Sequence, residues 1–296
     1  MWLADQWNDY EVIDCSKGEK LERWGDYLLV RPDPQVIWDT PRKEKGWRKM
    51  NGHYHRSSKG GGEWDFFQLP KEWTIQYSLP INKKLTFHLK PFSFKHTGLF
   101  PEQAANWNWF SQLIADAVSK GRQVKVLNLF AYTGGATLAA AAAGASVTHV
   151  DASKGMVTWA KENAISSGLK DAPIRWLVDD CVKFVEREIR RGNHYDAIIM
   201  DPPSYGRGPK GEIWKIEESV YPLIQLCSQI LTDNPLFFLI NSYTTGLQPA
   251  VLSYMISTVL GTANGTVTAS EIGLPVSSNG LVLPCGASGR YEATGI

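Results

Sequence analysis

The fold is decided by VKVLNLFAYTGGATLAAAAAGASVTHVD, residues 124–151. An apolar run, Val124–Phe130, is followed by Gly134 and Gly135 and then by an alanine-rich run of high helix propensity. After Gly144, a second apolar run ends in an acid, Asp151. The pattern predicts a strand, a tight turn, a helix, a second turn and a second strand.

The turn and the acid together indicate a nucleoside-containing cofactor. The polar turn Tyr132–Gly135 lets the backbone approach a ligand and directs free N–H groups of the next helix towards it. Asp151 ends the second strand, where a carboxylate can accept both hydroxyls of a ribose. The dinucleotide pattern GxGxxG is absent, because Asn128 and Phe130 stand where small residues are needed, and a pyrophosphate is therefore disfavoured. The alternative is a glycine turn of purely structural use.

Length, charge and cysteines narrow the class of protein. A chain of 296 residues is long enough for two lobes, and a net charge of +1 leaves any affinity for nucleic acid to local patches. The cysteines, at positions 15, 181, 227 and 285, show neither metal nor disulfide spacing. Without a leader pattern or a run long enough to span a bilayer, the chain is expected to be cytoplasmic and soluble, with no membrane partner and no metal.

The first 93 residues predict a small β-rich lobe, since they hold short segments rich in Trp and Tyr that are broken by Gly and Pro. Within it, Arg42–Lys59 contains seven Lys or Arg against one acid, a net +6, with aromatic residues between them. That composition is typical of segments that bind phosphates and stack on bases. A solvated loop is the alternative. A loop over Phe94–Asn106 then leads into a helix from Glu102 to about Ser119.

Strands and helices alternate after residue 124, which predicts a doubly wound sheet. Ser153 is expected to cap a helix, and the strand Ile174–Val178 ends in Asp179 and Asp180, which can either bind an adenine amino group or cap the next helix. The other predicted elements are strands 195–200, 236–240, 266–272 and 281–283, a Gly/Lys-rich loop over 206–211 and a helix over 216–231.

The predicted strand 195–200, the fourth of the sheet, runs into Asp201-Pro202-Pro203-Ser204-Tyr205. Two prolines after a buried strand cannot serve its hydrogen-bond ladder, and each fixes φ, so a stiff rim is expected at the carboxyl end of the sheet. The Asp201 carboxylate and the Pro202 carbonyl are then acceptors at fixed positions that can orient an N–H group of a substrate. Plain termination of the strand is the alternative.

These motifs carry a family resemblance. The chain resembles the class I S-adenosylmethionine-dependent methyltransferases, in particular the bacterial branch that includes ribosomal RNA large-subunit methyltransferases. Three stretches carry the resemblance: the glycine turn, DPPSYGRGPKG at 201–211 and FKHTGLFPEQAANW at 94–107. The resemblance covers about residues 94–290 and implies an α/β fold with a seven-stranded Rossmann-like methyltransferase sheet in residues 94–296. Residues 1–93 do not resemble the RNA-binding lobe of the better-known members.

The resemblance also implies roles for individual residues. Asp151 would hold the ribose hydroxyls of S-adenosylmethionine and Asp180 its adenine amino group. Asp201, Pro202, Pro203 and Tyr205 would orient the acceptor, although Tyr205 stands one residue later than the aromatic of the amino-methyltransferase motif. The other cofactor contacts it implies are Thr97, Phe100, Gln103, Asn106, Asn128, Phe130, Tyr132, Thr133, Gly134, Ala152, Ser153, Cys181 and Asp201.

A departure from the family pattern bears on mechanism. Carbon-5 cytosine methyltransferases of the branch have a cysteine after strand five, where this chain has Asn241-Ser242-Tyr243. Direct transfer to a nitrogen is therefore preferred, with Cys285 as the remaining candidate for a nucleophile. We expect methylation of RNA, with ribosomal RNA as the leading substrate, by a monomer or a homodimer. The alternatives are a protein or small-molecule substrate, or a cofactor-binding ribosome-assembly factor without catalysis.

Overall fold

The structure is a computed structural model that describes residues 1–91 and 95–295. The predicted boundary between residues 93 and 94, and Phe94 at the start of the predicted loop, lie outside the described residues.

The N-terminal region is built of strands, as the short β-like segments predict. A five-stranded sheet has the order β2-β3-β4-β5-β6, and a separate hairpin pairs β7 with β8. A 3-10 helix, Lys45–Arg48, precedes β5. The strands are β1 (Trp2–Leu3), β2 (Tyr10–Ser16), β3 (Glu19–Trp24), β4 (Tyr27–Pro32), β5 (Gly52–Arg56), β6 (Gly62–Phe66), β7 (Trp73–Leu79) and β8 (Lys83–Leu89).

The rest of the chain alternates strands and helices around a second sheet. After a 3-10 helix at Pro101–Gln103, its elements are α1 (Ala104–Ser119), β9 (Lys125–Leu129), α2 (Gly135–Ala142), β10 (Ser146–Asp151), α3 (Lys154–Ser166), β11 (Ile174–Val178), α4 (Cys181–Arg191), β12 (Ala197–Met200), β13 (Tyr205–Arg207), β14 (Ile213–Lys215), α5 (Ile216–Ser228), β15 (Phe237–Ser242), α6 (Pro249–Leu260), β16 (Gly265–Pro275) and β17 (Val282–Ala293). The strand order is β1-β16-β17-β15-β12-β9-β10-β11. All neighbours are parallel except those of β17, which is antiparallel to both.

This sheet confirms the predicted α/β class and its seven strands, and it adds an eighth. β1 pairs with β16, Trp2 standing opposite Ile272. The first residues of the chain therefore extend the C-terminal sheet. A two-residue strand has no periodicity of its own, so the sequence pattern cannot reveal it.

Several elements differ from the prediction. Residues 206–211 belong to the β13–β14 hairpin, and α6 has no predicted counterpart. β17 extends to Ala293, well past the predicted end at Leu283. The glycines of β17 weaken its strand pattern in the sequence, and close packing requires glycine at two of these positions. A Cβ on Gly286 would lie 2.9 Å from the Tyr243 ring, and one on Gly289 would lie 2.8 Å from Ile256 of α6.

The two regions share one hydrophobic core. Trp107 of α1 packs against Tyr77 and Phe87 of the β7–β8 hairpin, with ring centroids 5.5 and 5.3 Å apart. The Trp159 indole N–H on α3 donates to the His88 carbonyl at 2.9 Å. The position of the N-terminal lobe over the C-terminal sheet is therefore set by buried contacts. Within the described residues, every helix is too short or too polar to cross a bilayer.

A buried ion pair lies inside the N-terminal lobe. The Nε and Nη2 atoms of the Arg31 guanidinium donate to the Glu22 carboxylate, at 2.6 and 2.8 Å, and Tyr10 donates to the same group. Burial works to raise the pKa of Glu22, but the Arg31 and Lys20 charges outweigh it and hold that pKa below its usual value. Arg31 also donates to the Lys95 carbonyl at 2.8 Å, so the pair connects the lobe to the chain that enters the second sheet.

We expect Glu22→Gln to lower the free energy of unfolding by about 3–5 kcal/mol, because it leaves a buried guanidinium without its counter-charge. Asp116→Asn is the matched control. It removes the exposed Asp116–Lys120 pair and should cost at most about 0.5 kcal/mol. Urea denaturation measures both. Because the pKa of Glu22 is lowered, its contribution is present at neutral pH and is lost as the pH falls through the folded-state value. Equal losses in the two variants would contradict this account.

Candidate active site

The turn after β9 brings backbone to the carboxyl edge of the sheet. Phe130 and Tyr132 have φ values of +54° and +53°, and Gly134 has +88°. Left-handed backbone is costly for residues with side chains, so the turn needs external support. A Cβ on Gly135 would lie 2.6 Å from Trp107, which explains the second glycine of the pair.

Asp151, at the end of β10, provides that support. One carboxylate oxygen accepts the Tyr132 N–H at 2.9 Å and the other accepts the Ser153 N–H at 2.8 Å. Burial raises the pKa of Asp151, and these two backbone donors oppose the rise. Each oxygen keeps a free lone pair, so the carboxylate can also accept two hydroxyls of a ligand. The predicted cap is present as well, since the Ser153 hydroxyl accepts the Met156 N–H.

The N-terminus of α4 lies beside the same turn. The Asp180 carboxylate accepts the Lys183 N–H at 2.9 Å, so the capping role is real, and the side chain also lines the cavity described below. The Cys181 sulfur accepts the Phe130 N–H at 3.3 Å, and burial raises the pKa of this thiol. Cys181 therefore acts on the turn as a neutral acceptor.

The segment after β12 is held by two other parts of the chain. The Trp214 indole N–H donates to the Pro203 carbonyl at 2.7 Å, and the Trp214 ring packs 4.9 Å from Phe130. The Ser204 hydroxyl bonds that of Thr244 at 2.5 Å, which joins the segment to the chain after β15. The stiff rim expected from the two prolines is thus reinforced by β14 and by the β15 edge.

Asp201 is the carboxylate of this rim. Burial raises its pKa to about 7, and the nearby Glu102 carboxylate contributes to the rise. Burial also raises the pKa of Glu102, which accepts a hydrogen bond from the Tyr243 hydroxyl at 3.1 Å. Two carboxyl groups with raised pKa values therefore lie near each other, a feature that often marks a functional site.

A cavity of about 450 Å³ opens at this edge, within the size range of small-molecule sites. The structure brings eleven of the predicted residues to its wall: Phe100, Phe130, Tyr132, Asp151, Ala152, Ser153, Asp180, Cys181, Asp201, Pro202 and Pro203. A smaller cavity of about 50 Å³ adjoins it and is lined by three more, Gln103, Asn128 and Thr133.

Four predicted residues reach neither cavity. Thr97 is fully buried in the loop before α1, and Gly134 packs against Ala160. The Asn106 side chain is buried and bonds Asn241, Ser288 and Arg290. Tyr205 begins β13 and is 52% exposed. For Thr97, Gly134 and Asn106 the geometry indicates support of the site rather than direct contact.

Sequence reasoning missed part of the wall. The residues it did not propose are His96, Val182, Ser204, Gly206, Arg207, Gly208, Pro209, Trp214, Tyr243 and Thr244. Most lie on or beside the β13–β14 hairpin, for which the Gly/Lys-rich composition predicted a loop. This hairpin is tied to α4 by the Lys183–Glu212 ion pair. The sequence pointed to Tyr243 only because it lies in the segment where related carbon-5 methyltransferases have a cysteine.

A second cavity, of about 500 Å³, lies between the lobes; we call it the interlobe cavity. It shares His96, Phe100, Tyr243 and Thr244 with the first cavity. Glu102 and Cys285 also line it, and burial raises the pKa of the Cys285 thiol well above its usual value. The two cavities together can hold a cofactor and a second reactant side by side.

Residues 63–215 match the model of a family described as S-adenosylmethionine-dependent methyltransferase. The ribosomal RNA large subunit methyltransferase K/L of Pseudoalteromonas atlantica is 35% identical over 257 residues, which are 76% of this chain and 33% of that protein. The protein of the same name from Shewanella baltica is 35% identical over 223 residues, 71% of this chain and 28% of that protein. The chain spans about a third of the length of these relatives.

The fold has counterparts among solved structures. The SAM-dependent methyltransferase from Agrobacterium tumefaciens superposes with a TM-score of 0.88 at 36% identity, covering 97% of this chain and 91% of that one. A methyltransferase-like structure complexed with SAH gives a TM-score of 0.71 at 20% identity, covering 97% and 76%, and shows the shared fold alone. The carboxylates, aromatic walls and size of the first cavity fit the adenosine and methionine parts of such a cofactor.

We expect Asp151→Ala to weaken the binding of S-adenosylmethionine and S-adenosylhomocysteine by about 1.5–3 kcal/mol, because ribose hydroxyls would lose a charged acceptor. Titration calorimetry measures the loss, and the exposed Asp171→Ala serves as the matched control. A thermal melt shows whether the turn survives the loss of its own hydrogen bonds. Unchanged affinity in a folded Asp151→Ala protein would show that the ribose is held elsewhere.

Proposed function

Because the chain belongs to the S-adenosylmethionine-dependent methyltransferases, we propose that it methylates a base nitrogen of RNA, with ribosomal RNA in the cytoplasm as its substrate. One observation carries the choice of reaction: Asp201, Pro202 and Pro203 line the same cavity as Asp151. The acceptor-orienting rim and the cofactor-binding acid therefore face one space.

The cofactor supplies a methyl group on a sulfonium, which a nucleophile takes by in-line displacement. The part of this chain is mainly to position the two reactants. Asp151 would hold the cofactor ribose, while the Asp201 carboxylate and the Pro202 carbonyl would accept N–H groups of the acceptor. Phe100 lies 5.2 Å from the Tyr132 ring and 5.7 Å from the Tyr243 ring, and these faces offer a stacking wall for a planar base.

The last residues of β15 support a non-covalent transfer. Asn241 and Ser242 are buried there, and the side-chain oxygen of Asn241 accepts hydrogen bonds from Asn106 and Ser288. Cys285 lies in the interlobe cavity, where burial keeps its thiol protonated. A thiol needs its ionised form to attack a pyrimidine, so this environment disfavours a covalent step.

Two observations support RNA as the substrate. The relatives that match most of this chain are named ribosomal RNA methyltransferases. The segment Arg42–Lys59 presents exposed cations at Lys43, Lys45, Arg48, Lys49, Arg56 and Lys59. Part of its charge is used inside the lobe, since Arg42 is paired with Glu19. The exposed remainder is the phosphate-binding surface of the proposal.

We expect Asp201→Asn to lower the single-turnover rate of methyl transfer to RNA about a hundredfold with cofactor affinity nearly kept, because the variant loses a charged acceptor used to orient the substrate. Cys285→Ser should stay within a few fold of the wild-type rate. Transfer of labelled methyl groups measures both. A covalent adduct between Cys285 and fluorinated-pyrimidine RNA, together with an inactive Cys285→Ser, would contradict the nitrogen-transfer mechanism.

The pH profile tests the same role. With an Asp201 pKa of about 7, the wild-type rate should fall as the pH drops through that value, because the acceptor form is the ionised one. Asp201→Asn should lack this step. Glu102→Gln removes a neighbouring negative charge, and the midpoint should therefore move to lower pH. If the midpoint of the pH–rate profile is the same in the wild type and in both variants, the titrating group is not Asp201.

Replacing Lys45, Arg48 and Lys49 with Ala should weaken RNA binding and flatten its salt dependence, by up to about 0.7 in the log–log slope for each lost single-strand phosphate contact. Lys71, Lys83 and Lys84 are also exposed, and the corresponding triple Ala variant is the charge-matched control. Filter binding at several salt concentrations gives the slopes. Identical slopes in the two triple variants would reduce the basic segment to a solvated surface.

A further inference from the structure

Another cavity, of about 400 Å³, lies at the tip of the β5–β6 hairpin, and we call it the hairpin cavity. Its wall consists of Tyr54, Arg56, Ser57, Gly60, Gly61, Lys95 and His96. The hairpin supplies one side and the chain entering the C-terminal sheet supplies the other. The tip residues, 57–60, are exposed, so the cavity is open to a long ligand on its outer side.

Two cations of this wall are available to an anion. The Lys95 ammonium group donates to the Pro32 carbonyl at 3.3 Å. Within residues 1–91 and 95–295, neither Lys95 nor Arg56 forms an ion pair with a carboxylate. The other cations nearby already have partners, because Arg31 is paired with Glu22 and Lys20 with Asp33 at 3.6 Å.

The charge around Lys95 is net positive. Burial, together with the Lys20, Arg31 and Arg56 charges, lowers the pKa of Lys95 to about 8 against the opposing effect of Asp33. His96 next to it has a pKa lowered to about 4 by burial and by Arg31, Lys95 and Lys20, so its ring is neutral at pH 7. An anion placed here would relieve the repulsion among these groups.

The hairpin cavity adjoins the active site. His96 lines the hairpin cavity, the interlobe cavity and the cofactor cavity alike, and Lys95 lines the first two. A ligand that reaches from one cavity to the next thus passes from a cationic site to the aromatic wall of Phe100 and Tyr243. A nucleotide has that layout, with an anionic phosphate at one end and a planar base at the other.

We propose that Lys95 and Arg56 bind the phosphate of the acceptor nucleotide in the hairpin cavity, while its base enters the interlobe cavity beside Phe100 and Tyr243. This inference rests on the proposed function, since it assumes an RNA substrate. The open outer side lets the polynucleotide continue past the hairpin. The N-terminal lobe then selects the nucleotide that is presented to the Asp201 rim.

The test measures the affinity of a short, labelled single-stranded RNA of mixed sequence by fluorescence anisotropy. Lys95→Ala and Arg56→Ala should each weaken binding about tenfold or more, as expected for a lost hydrogen bond to a charged group, and should flatten the salt slope by about 0.7. The exposed Lys84→Ala, on β8, is the matched control and should leave both values unchanged. Cofactor affinity, measured on each variant, should equal that of the wild type.

The pH dependence adds a second readout. Wild-type affinity for RNA should fall between about pH 7 and about pH 9 as Lys95 loses its proton, whereas Lys95→Arg stays charged and should keep its affinity over that range. Arg56→Ala changes an exposed residue, so it keeps the test valid if Lys95→Ala fails to fold. If the wild type binds RNA and transfers the methyl group, and neither Ala variant weakens RNA binding, this inference is wrong and the proposed function still stands. Absence of RNA binding and of methyl transfer in the wild type would overturn the proposed function itself.

Discussion

The Asp151 carboxylate accepts the backbone N–H groups of Tyr132 and Ser153, and the cofactor half of the site depends on that arrangement. It holds a turn in which two residues with side chains adopt left-handed backbone. This turn also holds the neighbouring segments, because the Thr133 hydroxyl donates to the Gly98 carbonyl and the Asn163 side chain of α3 donates to the Thr133 carbonyl. One carboxylate thus orders the loop before α1, the turn and the start of α3.

The proposed acceptor half of the site is built differently, from contacts that cross between the lobes. The shared core around Trp107 fixes the N-terminal lobe over the sheet. The Glu22–Arg31 pair then reaches the chain at Lys95 through the Lys95 carbonyl. These contacts place the cations of one lobe beside the aromatic wall of the other. The proposed substrate site therefore depends on the packing of the whole chain, whereas the glycine turn and Asp151 lie in one β-α-β unit.

This difference explains how much of the molecule could be predicted from the sequence. The turn, Asp151 and the Ser153 cap depend on residues close together in the chain, and their signals are local. Trp214, His96 and Tyr243 become part of the site only when distant segments meet, and no spacing in the sequence reports that. The basic segment shows the same limit: composition predicts its net charge, but not that Arg42 is paired with Glu19 of another strand. The glycines of β17 weakened a strand pattern because they make room for Tyr243 and α6.

The most direct test of RNA methylation is a comparison of modified nucleosides in ribosomal RNA from cells with and without the gene for this chain, measured by mass spectrometry. We expect one nucleoside methylated at a base nitrogen to disappear on deletion and to return when the wild-type gene is restored, but not when the Asp201→Asn gene is. Identical nucleoside profiles in the deleted and the intact strain would contradict the assignment of ribosomal RNA as the substrate.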